Sequence, residues 1–209
     1  MNRTDEKIER RAYRIVEMRA AGEDGTPVIS GHAAVFNEES EDLGGFVERI
    51  APGAFTNTLT RADVRALWNH NADYPLGRMK SGTLTLAEDE RGLAFEIQVP
   101  DTQYGRDLVV SMKRGDVDQM SFAFATIKDN WEQVDGRVVR TLLEVELYDV
   151  SPVTYPAYPQ TSAAVRSKLE SFTAGGQAAD REAGEQAAAQ AHIRNRRRKL
   201  QILKLSNKE

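Results

Sequence analysis

The 209-residue chain has no cysteine and only three histidines. The first absence excludes disulfides, thiolate nucleophiles and cysteine-ligated zinc. His32, His70 and His192 lie far apart without metal-ligand spacing, so a metal site is not expected. Long apolar runs are missing too. No stretch approaches the ~20 residues that would span a bilayer, and the charged start Met1-Asn2-Arg3-Thr4-Asp5-Glu6-Lys7 lacks the apolar segment of a secretion signal. The pattern predicts a soluble, intracellular protein with no membrane partner. A formal net charge of −4 gives no reason to expect specific nucleic-acid binding.

What the chain does have is 40% hydrophobic residues, enough for one core, and many short segments of alternating polarity. Period-2 alternation marks Val64 to His70 as a strand, with His70 at its end on the face of Val64, Ala66 and Trp68. In Met120 to Ala125 the large residues Met120, Phe122 and Phe124 share one face, leaving Ser121 on the other with Ala123 and Ala125. A third strand, Leu142 to Val150, places Leu143, Val145 and Leu147 on one face and Glu144, Glu146 and Tyr148 on the other. Serine, histidine and carboxylate are the components of a hydrolase. A serine hydroxyl needs a base to take its proton, an imidazole with an ordinary pKa near ~6.5 suits that task, and a carboxylate can fix the imidazole's tautomer. Each position also has a plainer reading: Ser121 as a small packing residue, His70 as a surface or satisfied core residue, and Glu144 and Glu146 as a solvated strand face.

The remaining elements follow from local signals. Ala12 to Met18 and Thr26 to Phe36 read as an opening hairpin around Gly22-Glu23-Asp24-Gly25. Pro52 can begin a short helix that aligns Phe55 with Leu59. Gly82 to Leu86 and Leu93 to Val99 form a second hairpin, with Leu93, Phe95, Ile97 and Val99 inward. Asp101 or Thr102 can cap a helix running to about Arg114 and terminated by Gly115. Asp135-Gly136 is a two-residue hairpin turn. Tyr74-Pro75-Leu76-Gly77-Arg78 reads as a turn, Trp68 as core, Asn69 and Asn71 as turn caps and His32 as replaceable packing.

Ser30-Gly31-His32-Ala33-Ala34-Val35-Phe36-Asn37, Ile50-Ala51-Pro52-Gly53-Ala54-Phe55, Leu67-Trp68-Asn69-His70-Asn71, Tyr74-Pro75-Leu76-Gly77-Arg78, Met120-Ser121-Phe122-Ala123-Phe124 and Asp149-Val150-Ser151-Pro152-Val153-Thr154-Tyr155-Pro156-Ala157-Tyr158-Pro159 occur in that order. This succession resembles the prohead maturation proteases of tailed bacteriophages, which are similar in fold to the herpesvirus assembly proteases. The resemblance implies a mostly β fold, a closed β-barrel with surrounding helices. It implies His70 as base and Ser121 as nucleophile. The third member is a second histidine in the herpesvirus enzymes, and the matching strand here has none; Glu146 takes that place in our reading, with Glu144 and Asp149 as rivals. The herpesvirus enzymes also use an arginine-containing loop for the oxyanion, whereas this chain has Ser151-Pro152-Val153-Thr154-Tyr155-Pro156, so the N–H of Val153 or Thr154 is the candidate donor.

By the same resemblance the protein is a serine endopeptidase of the immature procapsid in the host cytoplasm. Its partners would be the scaffolding protein, or a scaffold-like segment of the major capsid protein, and further copies of itself in a homo-oligomer. The alternative is a non-catalytic scaffold or capsid-assembly factor that keeps the protease fold. The expected organisation is a loose N-terminus over 1–11, the protease domain over 12–166 and an appendage over 167–209. In that appendage an Ala/Gly/Gln-rich linker leads to the basic amphipathic stretch from Ile193 to Leu205, a candidate docking segment.

Overall fold

The computed structural model describes residues 8–14, 27–155 and 165–175. The chain divides into two compact units, Met1–Ser162 and Ala163–Glu209. In the second unit, residues 165–175 are helical; the basic stretch from Ile193 to Leu205 and the Gly22–Gly25 turn lie outside the described residues.

In chain order the first unit runs β1 (Glu9–Arg14), β2 (Val28–Val35), β3 (Val47–Ile50), α1 (Thr56–Arg61), β4 (Arg65–Trp68), β5 (Asn71–Arg78), β6 (Leu84–Glu88), β7 (Gly92–Gln98), α2 (Gln103–Arg114), β8 (Gln119–Val134) and β9 (Arg137–Val153). The strands form two sheets. The larger has the order β1-β8-β9-β4-β5, with β3 also pairing with β9, and the smaller has the order β2-β7-β6. The long β8–β9 hairpin turns at Asp135-Gly136, whose φ angles of 51° and 78° supply the two positive values that match the twist of the flanking strands.

The chain from β3 to β4 runs alongside β9. Val47 to Ile50 pair in parallel with Val139 to Leu142, and Arg65 and Ala66 pair in parallel with Asp149 and Val150. Between them the α1 region bulges out but remains attached: the Ala54 carbonyl accepts the Val145 N–H, and Thr58 Oγ1 accepts the Leu147 N–H. This arrangement delivers the β4–β5 turn to the strand after Asp149.

The core lies between the sheets. Met120, Phe122, Phe124, Val150 and Ala66 come from one sheet, Ile29, Leu84, Leu93, Phe95 and Ile97 from the other, and Leu108 and Met112 from α2. Phe122 stands against Phe124 and Phe55 with ring centroids 5.0 and 5.6 Å apart, and each such fully buried side chain contributes ~1.5–3 kcal/mol. Thr102 caps α2 by accepting the Gly105 N–H, and Gly115 ends it with φ 82°.

Three expectations change. Among the described residues the strands do not close into a barrel: after β5 a short turn over Met79–Ser81 and Gly82, with φ 72°, carries the chain into the second sheet instead of extending the first. β1 and β2 do not form a hairpin with each other, because β1 pairs with β8 and β2 with β7. Tyr74 to Arg78 belong to β5, not to a turn. Pro75 is tolerated there because β5 is the outer strand of its sheet.

One end of the larger sheet buries charge. Arg140, on β9, donates to Glu9 and Glu48 at 2.8 Å and to Asp129 at 3.0 Å, while Arg11 donates to Glu48 at 2.7 Å and to Glu9 at 2.9 Å. Glu9 and Arg11 come from β1 and Glu48 from β3, so this cluster ties the short outer strands to the central hairpin. Opposite charges and full hydrogen bonding compensate for their removal from water.

Candidate active site

Ser121 lies on β8 opposite Ser151 on β9, and Ala123 lies opposite Asp149. Paired residues share a face, so Ser121, Asp149 and Ser151 stand together on the side of the sheet away from Phe122 and Val150. His70 arrives from the β4–β5 turn. Asn69 and His70 both have positive φ, 54° and 56°, and Trp68 pairs with Asn71 across them. Positive φ at two non-glycine residues is uncommon, although asparagine and histidine tolerate it better than most. Three bonds hold the turn. Asn69 N–H donates to the Pro152 carbonyl at 3.0 Å, Asn69 Oδ1 accepts the Thr154 N–H at 2.9 Å, and Asn69 Nδ2 donates to Thr154 Oγ1 at 3.3 Å.

So held, the His70 ring bridges two partners. Nδ1 is 2.6 Å from Asp149 Oδ1 and Nε2 is 2.7 Å from Ser121 Oγ. A carboxylate can only accept, which puts the ring proton on Nδ1 and leaves the Nε2 lone pair to accept the Ser121 hydroxyl proton. Ser121 is fully buried, and the His70 and Asp149 side chains are 9% and 13% exposed. Electrostatic contacts among them are therefore screened little by water.

Residues 14–174 match the family described as caudovirus prohead serine protease. The chain belongs to this family. It is 31% identical over 159 residues to the prohead protease of Enterobacteria phage HK97, an alignment that takes in 74% of this chain and 66% of that protein's length. Among solved structures, the capsid assembly protease of bacteriophage T4 aligns over 70% of this chain and 96% of its own, with a TM-score of 0.41 and 11% identity.

The carboxylate beside His70 is Asp149, one of the two rivals to Glu146 in our reading. Glu146 forms an ion pair with Arg61 of α1 at 2.7 Å, and Glu144 accepts from Asn57 at 2.9 Å. Of the three carboxylates it is Asp149 whose Oδ1 stands at His70 Nδ1. Strict alternation would place Asp149 on the face of Leu147; the register shift at Ala123/Phe124 turns it to the other. His70 departs from alternation as well, because it sits in the turn and not at a strand end. The Thr154 N–H, a candidate oxyanion donor, is already given to Asn69. Trp68 packs against the core, and His32 contacts Asp89 at 2.7 Å, remote in sequence from these groups. Among the described residues no cluster of three or more His, Asp or Glu side chains could ligate a metal, and no helix is long and apolar enough to cross a membrane.

Proposed function

We propose that the protein is a serine endopeptidase of procapsid maturation, with Ser121 as nucleophile, His70 as general base and Asp149 as the residue that orients His70. The observation that carries this reading is the imidazole bonded on one side to a serine hydroxyl and on the other to a carboxylate. Membership of the prohead serine protease family supports it independently.

In the forward step Ser121 Oγ attacks the scissile carbonyl carbon while its proton passes to His70 Nε2. Asp149 stabilises the imidazolium that forms and keeps Nδ1 protonated. The tetrahedral intermediate collapses as His70 returns the proton to the leaving amine, giving an ester on Ser121. Water, deprotonated by the same Nε2, then releases the acid and restores the hydroxyl. Apart from the substrate and that water, every group used belongs to the chain, and the cycle needs no cofactor.

The substrate in this reading is scaffolding protein or a scaffold-like segment of the major capsid protein. Cleavage takes place inside the immature procapsid, in the host cytoplasm. A fluorophosphonate probe tests the chemistry directly: stoichiometric attachment at Ser121, abolished in His70→Ala, is the expected result. No attachment would favour a non-catalytic assembly factor on the same fold. Co-expression with the capsid protein, followed by mass spectrometry of the products, tests the substrate; Ser121→Ala should leave that protein unprocessed.

A further inference from the structure

Two serines face each other in this site, and only one has a base. Ser151 lies directly opposite Ser121 in the β8–β9 ladder and is likewise fully buried. Its hydroxyl donates to Asp149 Oδ1 at 2.7 Å. That is the same oxygen that accepts the His70 Nδ1 proton at 2.6 Å. A serine hydroxyl has one proton, and here it points at a carboxylate, not at the imidazole. Ser151 is therefore not a second nucleophile.

The spacing makes the contact local and persistent. Asp149 and Ser151 are two apart on one strand and so share a face, and neither needs a distant element to meet the other. A carboxylate in a β-strand can rotate about its terminal torsion with little resistance. With one donor it is held at one point; with His70 and Ser151 both directed at Oδ1, the oxygen has a defined position. Charge-assisted bonds from two donors in a poorly hydrated site are stronger than the same bonds in water.

We infer that Ser151 is a positioning residue that fixes Asp149 Oδ1 on His70 Nδ1 and thereby holds His70 Nε2 in line with the Ser121 hydroxyl. The inference rests on the serine-protease reading of Ser121, His70 and Asp149. It adds a fourth residue that touches neither the nucleophile's proton nor the acyl group.

The test uses the full chain, with Ser151→Ala and the hydroxyl-retaining Ser151→Thr. The first readout is the rate at which a fluorophosphonate labels Ser121. The second is the low-field proton resonance of His70 Nδ1–H, which reports the His70–Asp149 bond without any substrate. Ser151→Ala should slow labelling roughly tenfold to a hundredfold, the scale of effect from a small displacement of a reacting group. It should also move or broaden the resonance while thermal unfolding stays close to wild type. Ser151→Thr should restore both. Wild-type labelling together with an unchanged resonance in Ser151→Ala would overturn the inference. Should the wild-type protein fail to label at Ser121, the protease reading fails, and the resonance still decides whether Ser151 positions Asp149.

Discussion

Asp149 stands directly across from Ala123 in the β8–β9 ladder, and the next pair along is Phe124 with Leu147. The strand accommodates Tyr148 between them as one extra residue, so Asp149 and Leu147 point to opposite faces even though they are two apart. This single irregularity puts a carboxylate on the side of Ser121 while Leu147 and Val150 remain in the core.

Asp149→Asn is the variant that tests it. The amide can offer an N–H where His70 needs an acceptor, which favours the tautomer that cannot take the Ser121 proton. We expect labelling of Ser121 and peptide cleavage to fall by about 10³–10⁴. Glu146→Gln, which loses only the exposed Arg61 pair, should stay near the wild-type rate. Equal losses in the two variants would deny Asp149 its role.

Asn69 supports the same geometry from the other side. Asn69→Gly keeps the backbone freedom that φ 54° requires but loses both side-chain bonds to Thr154. Asn69→Ala loses those bonds and adds about 1–2 kcal/mol of left-handed strain. Thermal unfolding should rank wild type above Asn69→Gly and Asn69→Ala last. Both variants should label more slowly at Ser121, because the turn carrying His70 is then tied to the end of β9 by a single backbone bond. A wild-type labelling rate in both would show that the backbone bond to Pro152 is anchor enough.

Much of this architecture is written in local signals. Thr102 and Gly115 bound α2, Asp135-Gly136 turns the long hairpin, and Leu93, Phe95 and Ile97 alternate into the core, since each depends on neighbours within a few residues. Ser121 and His70 were also identifiable as candidates, through their family motifs. What could not be read from the pattern is the parity of β9. The core residues Leu142, Val145, Leu147 and Val150 are spaced by three, two and three, and such breaks arise where two strands settle their register against each other. The separation of β1 from β2 is equally non-local, fixed by pairs such as Glu9 with Phe124 and Ala34 with Leu93, 115 and 59 residues apart in the chain.

Gly92, in the smaller sheet, offers a stability test. A Cβ there would lie 2.0 Å from the Ala34 carbonyl oxygen and 2.9 Å from its carbon, both backbone atoms of the paired strand. Gly92→Ala must therefore push β2 away from β7, and we expect a loss above about 4 kcal/mol or failure to fold. Gly82→Ala is the control. It has φ 72° but open space around the new methyl, so its cost should be only the ~1–2 kcal/mol of a left-handed alanine. Urea unfolding of the pair checks the order, and a smaller loss in Gly92→Ala would mean that β2 can separate from β7 without penalty.

The buried charge cluster makes stability depend on acid. Burial alone would raise the Glu9 carboxyl, but the hydrogen bond and charge of Arg140, with Arg11 and Thr126, outweigh it and hold the group below its ordinary value of 4.5. Burial would likewise lower the Arg140 guanidinium, and Glu9, Glu48 and Asp129 instead raise it. Because the folded-state value of Glu9 is depressed, its contribution is fully present above the ordinary 4.5 and is lost as pH falls through the folded value. The arginines stay charged throughout. Wild-type stability should thus fall as pH drops below the ordinary value of 4.5. Glu9→Gln should be less stable at pH 7 by about 3–5 kcal/mol, the usual effect of removing one partner from a buried pair, and its stability should change less over the same acid range. Chemical denaturation of both proteins at several pH values measures this. Parallel pH curves would show that Glu9 contributes nothing to the acid sensitivity.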